Sequence, residues 1–374
     1  MRFLLNLLRL SVKELSSLWR DPIMLFLIVY AFSAAVVLVA SGVKLEVVNA
    51  TIAIVDDDRS QLTARLADAF AEPYFKPAVL IGRDEVDRAM DVGRYSFVVE
   101  FPPRFEADVL AGQRPEVGLV IDATVMVQAG NGAAYIESIL IDEVAAFLHR
   151  AGVEAGLPIR IANRVWFNPN VEGRWFSSLM QLTNSITILS ILLVGAAVIR
   201  EREHGTIEHL LVMPVRAAEI ALAKVLANGA VLLLAVVLSM ELVIRLYLGV
   251  PIAGSRTLFL VGTLLFLFST TSLGILIATL ARSMPQFALM SIPVFTTMLL
   301  LSGNMTPLES MPTGLQWGMH LSPSVYYVAF TQALLYRGAT LAIVWPELLV
   351  MAGLGIVFLA YATHRFRVML SQIG

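Results

Sequence analysis

The densest ordered group of ionisable residues is the run Arg200-Glu-Arg-Glu-His-Gly-Thr-Ile-Glu-His-Leu-Leu-Val-Met-Pro214. Glu201, Arg202 and Glu203 alternate in sign, and Gly205 after them permits a sharp backbone turn. Thr206 can cap a short helix, Glu208 in its first turn suits the positive end of the helix dipole, and Pro214 closes it. A second helix beginning near Ala217 carries Glu219 and Lys224 into the next apolar stretch. The chemistry open to such a set is electrostatic contact. A short rigid knob flanked by charge can dock a partner, tether the chain to itself or act as an inert connector, and periodicity alone leaves these readings open.

Bond-making chemistry finds no residues to carry it, so the expected catalytic set is empty. There is no Gly-x-x-x-x-Gly-Lys-Ser/Thr loop to cradle phosphates, and Leu301-Ser-Gly-Asn resembles an ATPase signature only by chance, after an apolar span. His204 and His209 miss the i, i+4 spacing of a zinc pair and read as surface residues. Zero cysteines exclude disulfides, thiol nucleophiles and Cys-ligated metals. Asp56, Asp57 and Asp58 offer oxygen ligands for a hard cation, but no later Glu stands at calcium-loop spacing. Followed by Ser60, they read as a strand-end turn and helix cap, and no metal is expected. Gln181, Asn184 and Ser185 share one helical face and could line a path through a membrane or bond between helices. Thr296 and Thr297 form a weaker version of the same pattern. Glu241, with Arg245 four residues on, is an ion pair or a proton-coupling group.

The elements that must position these groups follow from composition. Of 374 residues, 57% are hydrophobic and 15% charged, and the mean hydropathy is +0.76. Water-soluble chains carry about 25% charged residues, so this is a membrane protein. The net charge of −2 leaves no nucleic-acid footprint. Stretches long enough to span a bilayer are 23–43, 175–199, 225–244, 257–281, 286–303 and 341–362. Placing the N-terminus in the cytoplasm puts eleven Lys and Arg in the short inner segments and three in the outer loops, so both termini are expected to be cytoplasmic. The six-span expectation leaves 200–224 as a cytoplasmic loop, 304–340 as an outer segment and 363–374 as a cytoplasmic tail.

Residues 44–174 have the composition of a soluble domain, with thirteen basic and twenty acidic residues. Strands are expected at 51–55, 78–81, 95–101, 117–121 and 160–167, and helices at 60–70, 84–90, 104–110 and 133–150. The expected fold is therefore an α-helical membrane protein of six spans with an inserted extracytoplasmic α/β domain. In residues 1–22, Leu4, Leu5, Leu8, Val12, Leu15 and Trp19 fall on one helical face, with Arg9, Lys13 and Glu14 off it. Such a helix can lie in the headgroup plane of a lipid membrane until Pro22 breaks it.

The central run, read with these spans, resembles the ABC-2 family of ATP-binding-cassette transporter permeases. The family pattern matches at Glu201, Arg202, Glu203, Gly205, Thr206, Glu208, Leu210, Leu211, Pro214, Glu219 and Lys224, while Ala223 departs from a frequent Gly. Lys13-Glu14 with Arg20-Asp21-Pro22 looks like the family's N-terminal connector helix, and Leu321-Ser-Pro323 like the segment before its last span. The chain is most similar to inner-membrane permeases of bacterial drug-type exporters that have a large insert after the first span. The resemblance implies a half-transporter, paired with a second copy or a paralogue and driven by a separate ATPase subunit that binds ATP and Mg. It further implies a coupling helix in the 200–224 loop, re-entrant helices in Asn304–Gly338, a periplasmic adaptor as a candidate partner, and export of an amphiphilic or drug-like compound. The alternative outside the family is a membrane-anchored sensor or assembly protein.

Overall fold

In the computed structural model, residues 2–42, 49–91, 93–122, 126–151, 173–203, 216–304, 308 and 311–371 are described. They form two compact units, Met1–Gly42 with Arg174–Gly374 and Val43–Gly173.

The first unit is helical. Helix α1 (Arg2–Trp19) ends where Asp21 caps α2 (Pro22–Phe32) by accepting the Met24 N–H, with Pro22 in the first turn. The chain continues through α3 (Ala34–Gly42), interrupted only at Ser33, whose hydroxyl donates to the Val29 carbonyl. Among the described residues, five helical segments are long and apolar enough to cross a membrane: Pro22–Gly42, Gly173–Glu203, Ala217–Tyr247, Arg256–Leu280 and Leu341–Arg367. Met284–Leu300 is apolar but has only 17 residues, at the short end of what a bilayer requires.

Two boundaries differ from the sequence reading. Arg200–Glu203 form the last turn of Gly173–Glu203 instead of opening a loop, whereas Glu219 and Lys224 lie, as expected, on a helix beginning at Ala217. The last helix runs from Leu341 to Ser371, because no Gly or Pro stands between Ala362 and Ser371 to stop it. Within 304–340, helices Thr313–Met319 and Pro323–Thr331 stand in the described part, the latter continuing as a π-helix, Gln332–Tyr336.

Gly173–Glu203 is the centre of this unit: 78% of its apolar window is buried, against 22% for Pro22–Gly42 and for Leu341–Arg367. Its neighbours approach closely through small residues, as van der Waals packing in membranes favours. A Cβ on Gly274 would lie 2.7 Å from the Ile191 carbonyl oxygen. Most buried hydroxyls on Arg256–Leu280 are satisfied locally, as when Thr263 and Thr270 donate to the Phe259 and Phe266 carbonyls one turn back, while Ser269 donates across to the Met351 carbonyl of the last helix.

The second unit carries a sheet of order β2-β1-β3-β4, with β1 (Ile52–Asp56) parallel to β2 (Val79–Leu80) and β3 (Phe97–Phe101), and β4 (Gly118–Ile121) antiparallel to β3. The period of two sends Ile52, Ile54, Phe97 and Val99 into one apolar cluster and Ala53, Val55 and Val98 into another. Both faces are covered, which is why β1 and β3 read as continuous apolar runs. Helix Met126–Arg150 contributes Ile136, Ile139 and Leu140 to the first cluster. The Asp triplet works as a turn: Asp56 accepts the N–H groups of Asp58 and Arg59 and the Thr63 hydroxyl, and Ser60 caps Gln61–Ala69. Among the described residues no group of His, Asp and Glu could hold a metal ion. The strand expected near 160–167 lies outside the described residues.

The close helix approach generates a test. Gly274→Ala should destabilise the folded chain by about 1–3 kcal/mol, the usual cost of overpacking, whereas Gly314→Ala, whose Cβ meets nothing within 4 Å, should not. Thermal midpoints of the two variants in one detergent, read by fluorescence-detected size exclusion, check this.

Candidate functional site

At one end of the helical unit, three elements meet at Lys224. Its side chain is 1% exposed, and its ammonium contacts Glu14 Oε1 at 2.7 Å and Glu201 Oε2 at 2.8 Å. Lys13 reaches the other oxygen of Glu201 at 2.8 Å. One buried cation thus joins helix α1, the last turn of Gly173–Glu203 and the second turn of Ala217–Leu238. A charge without water is tolerable only when paired and hydrogen-bonded, and here each partner comes from a different helix.

The same end is tied at four further points. Arg200 donates to Asp21 at 2.8 Å, linking the second span to the cap of the first. Arg202 donates to the Ala281 carbonyl at 2.7 Å, and Glu203 accepts the Met284 N–H at 2.8 Å, so these two clamp the turn before Met284–Leu300. Glu219, buried, accepts the Arg216 N–H at 2.8 Å, starting its own helix, and the Asn6 amide of α1 at 3.4 Å. Helix α1 therefore turns Asn6, Leu10 and Glu14 toward the bundle and leaves Leu4, Leu8, Val12 and Trp19 exposed.

The carboxyl of Asp21 is pushed up by burial, but the Met24 N–H and the Arg200 guanidinium outweigh this and hold it below its ordinary value. A carboxyl lowered in the folded chain contributes stability above its unfolded pKa of about 3.9 and loses it as pH falls through the folded value.

The structure thus brings Glu201, Arg202, Glu203, Glu219 and Lys224 to one junction, each engaged within the chain. Gly205, Thr206, Glu208 and Pro214 lie outside the described residues. Sequence reasoning missed Glu14 as the second partner of Lys224, the Asp21–Arg200 pair and the role of the 281–284 turn. The only signal for them was unpaired charge at the edges of apolar spans.

The residues read as a path are dispersed. Ser185 accepts from Gln181 at 3.4 Å and donates to the Ala31 carbonyl at 2.9 Å, which ties the second span to the first. Asn184 is half-buried on the same helix. Thr296 is half-buried, and Thr297 lines a cleft of about 440 Å3 with Leu273, Met298, Pro323 and Phe358. Glu241 pairs with Arg245 at 2.9 Å and Arg256 at 3.1 Å.

Apolar helices of membrane-crossing length, locked together at one end by a buried cation, define a multi-pass integral membrane protein. The chain belongs to the ABC-2 family: the profile described as ABC-2 family transporter protein matches residues 22–363. Over 367 residues, 98% of each chain, it is 45% identical to the inner membrane transport permease YhhJ of Escherichia coli K12. It is 30% identical over 365 residues to the probable multidrug ABC transporter permease YbhR of the same strain, covering 96% of this chain and 97% of that one. With YbhS, of the same printed description, identity is 26% over 332 residues, 88% of each chain. This is accordingly a transport subunit of the inner membrane, a permease of an ABC transporter.

Removing the central cation separates its role from that of its neighbours. Lys224→Ala should leave Glu14 without its cation beside a Glu201 held only by Lys13, and cost about 3–5 kcal/mol. Lys13→Ala, at a half-exposed position, should cost less than about 1 kcal/mol. A paired comparison of thermal midpoints checks the ranking, and crosslinking between Cys residues placed on α1 and on Ala217–Leu238 should fall in the first variant only.

Proposed function

We propose that the chain is the permease half of an ATP-driven exporter in which the segment 200–224 receives the motion of a separate ATPase subunit. The observation carrying this reading is Lys224 held between Glu14 and Glu201. The two helices flanking the segment and helix α1 are pinned together at its base, so a push on the segment moves three elements as one. A flexible base would dissipate the push in side-chain rearrangement. Gly205, Thr206, Glu208 and Pro214 form the knob itself, while Glu201, Arg202, Glu203, Glu219 and Lys224 anchor it. ATP and Mg belong to the partner ATPase.

In this reading Met284–Leu300 counts as a sixth crossing, residues 44–174 are an α/β insert outside the cytoplasm, and both termini are cytoplasmic. The excess of Lys and Arg in the short segments on the N-terminal side supports that orientation. A second permease, identical or related, completes the path, and a periplasmic adaptor is a partner for the insert. Gln181, Asn184, Ser185, Thr296 and Thr297 are the groups offered to a passing substrate. An amphiphilic or drug-like compound is supported by the description of YbhR as a multidrug permease.

Reconstitution with the partner ATPase tests coupling directly. Gly205→Pro should leave expression intact, since no span is altered, and lower efflux per ATP hydrolysed by roughly tenfold, within the usual range of coupling energies. Normal efflux and hydrolysis in that variant would remove the segment from the coupling role. Topology is checked separately, because the chain has no native Cys. A Cys replacing Arg83 should react with a membrane-impermeant reagent in intact cells, and one replacing His209 only after the membrane is opened.

A further inference from the structure

The elbow between α1 and the first span encloses a groove of about 590 Å3 lined by Lys13, Ser16, Ser17, Arg20, Asp21 and Arg200. A second cleft of about 270 Å3 shares Lys13, Ser17 and Arg200 with it and is bounded further in by Met24, Leu193 and Ala197. The outer groove holds three cations against one carboxylate. Arg20 is exposed, and the side chains of Lys13 and Arg200 remain 50% and 41% exposed despite their partners Glu201 and Asp21. An ammonium has three donors, and Lys13 gives one to Glu201. Glu14 and Glu201 also border the inner cleft; Lys224 and Lys13 together balance these two charges and Arg200 balances Asp21, so Arg20 is the net positive charge of the site.

The surroundings of the groove say where it lies. Val12, Leu15 and Trp19 are exposed on the N-terminal side of the elbow, and Ile23 and Phe26 on the other. Trp19, at 78% exposure, and Ile23, at 70%, flank Arg20 and Asp21 directly. Large apolar side chains around a cationic groove suit the boundary between headgroups and acyl chains, where basic clusters meet lipid phosphates. A groove built for a free anion would have no use for that apolar rim or for an apolar inner cleft.

We propose that this elbow is a binding site for an anionic glycerophospholipid. Arg20, Lys13 and Arg200 hold the phosphate, Ser16 and Ser17 add hydroxyl donors, and an acyl chain lies against Met24, Leu193 and Ala197. The site is independent of the exported compound and of the ATPase. It would fasten α1 to the membrane surface beside its contacts with Glu201 and Lys224.

The test uses the full-length chain in nanodiscs of phosphatidylcholine containing a minor share of phosphatidylglycerol. After transfer to mild detergent, the lipids that remain bound are quantified by mass spectrometry. The wild-type chain should retain phosphatidylglycerol in preference to phosphatidylcholine, and Arg20→Gln should reduce that preference about fivefold, the effect of one basic residue at a membrane surface. Arg20→Lys should keep the preference, which excludes a folding defect as its cause. Arg245→Gln, in the charged cluster at the far end of the helix that carries Lys224, should leave it unchanged. The proposal is overturned if no preference exists, if Arg20→Gln retains it, or if Arg245→Gln abolishes it equally. Release of phosphatidylglycerol by excess inorganic phosphate to the level of Arg20→Gln would assign the groove to free phosphate and overturn the lipid site.

Discussion

A lysine buried as deeply as a core leucine imposes more on this molecule than any apolar contact. Lys224 cannot keep its charge at 1% exposure unless carboxylates meet it, and its own helix supplies neither of the two that do. Glu14 arrives on α1 and Glu201 on the end of Gly173–Glu203, so satisfying one charge sets the docking of an N-terminal helix and the spacing of two spans. Apolar packing alone would allow these helices to slide or rotate by a residue at modest cost. An ion pair buried among three helices does not, because a shift leaves an uncompensated charge. The remaining ties, Arg200 to Asp21, Arg202 to Ala281 and Glu203 to Met284, extend the same junction to the first span and to the turn before Met284–Leu300.

Away from that junction the bundle is held differently. Gly, Ser and Thr stand at several of the places where helices touch, among large apolar clusters, and most of the buried hydroxyls return to backbone carbonyls one turn earlier or cross to a neighbour, as Thr263 reaches Tyr327 at 2.9 Å. Such contacts permit close approach while pairing the hydroxyls that make them, whose exposure unpaired to a bilayer would be costly. Charge is confined to the ends, with the Lys224 junction at one and the Glu241–Arg245–Arg256 cluster at the other. The α/β unit obeys the rules of a protein in water instead: two apolar clusters cover the two faces of its sheet, and a capped turn ends its first strand.

Much of the architecture was legible because it depends on local composition. Charge-free runs announce apolar helices, whatever they pack against. Strands β1 and β3 were visible as apolar runs, and the Asp56–Ser60 turn as a carboxylate and hydroxyl cluster after one of them. Helix ends were less so. The stretch Arg200–Glu203 looks like a loop because it is charged, yet it continues a helix, since its side chains find partners on three neighbouring elements and no breaker precedes Gly205. The last helix likewise extends past its apolar part for want of a stop.

The candidate site divides along the same line. Residue types and order alone establish that alternating charges stand beside a glycine between two apolar stretches, that α1 is amphipathic, and that no phosphate loop or thiol is available to this chain. Those properties belong to each segment by itself. Which charge meets which was decided by the tertiary structure, because Glu14 and Lys224 are 210 residues apart and Lys13 and Glu201 are 188 apart. Coulomb attraction acts across space, and no local pattern encodes the partner. Only when the helices pack does the water around Lys224 leave, and with it every arrangement except the one in which both carboxylates face the ammonium.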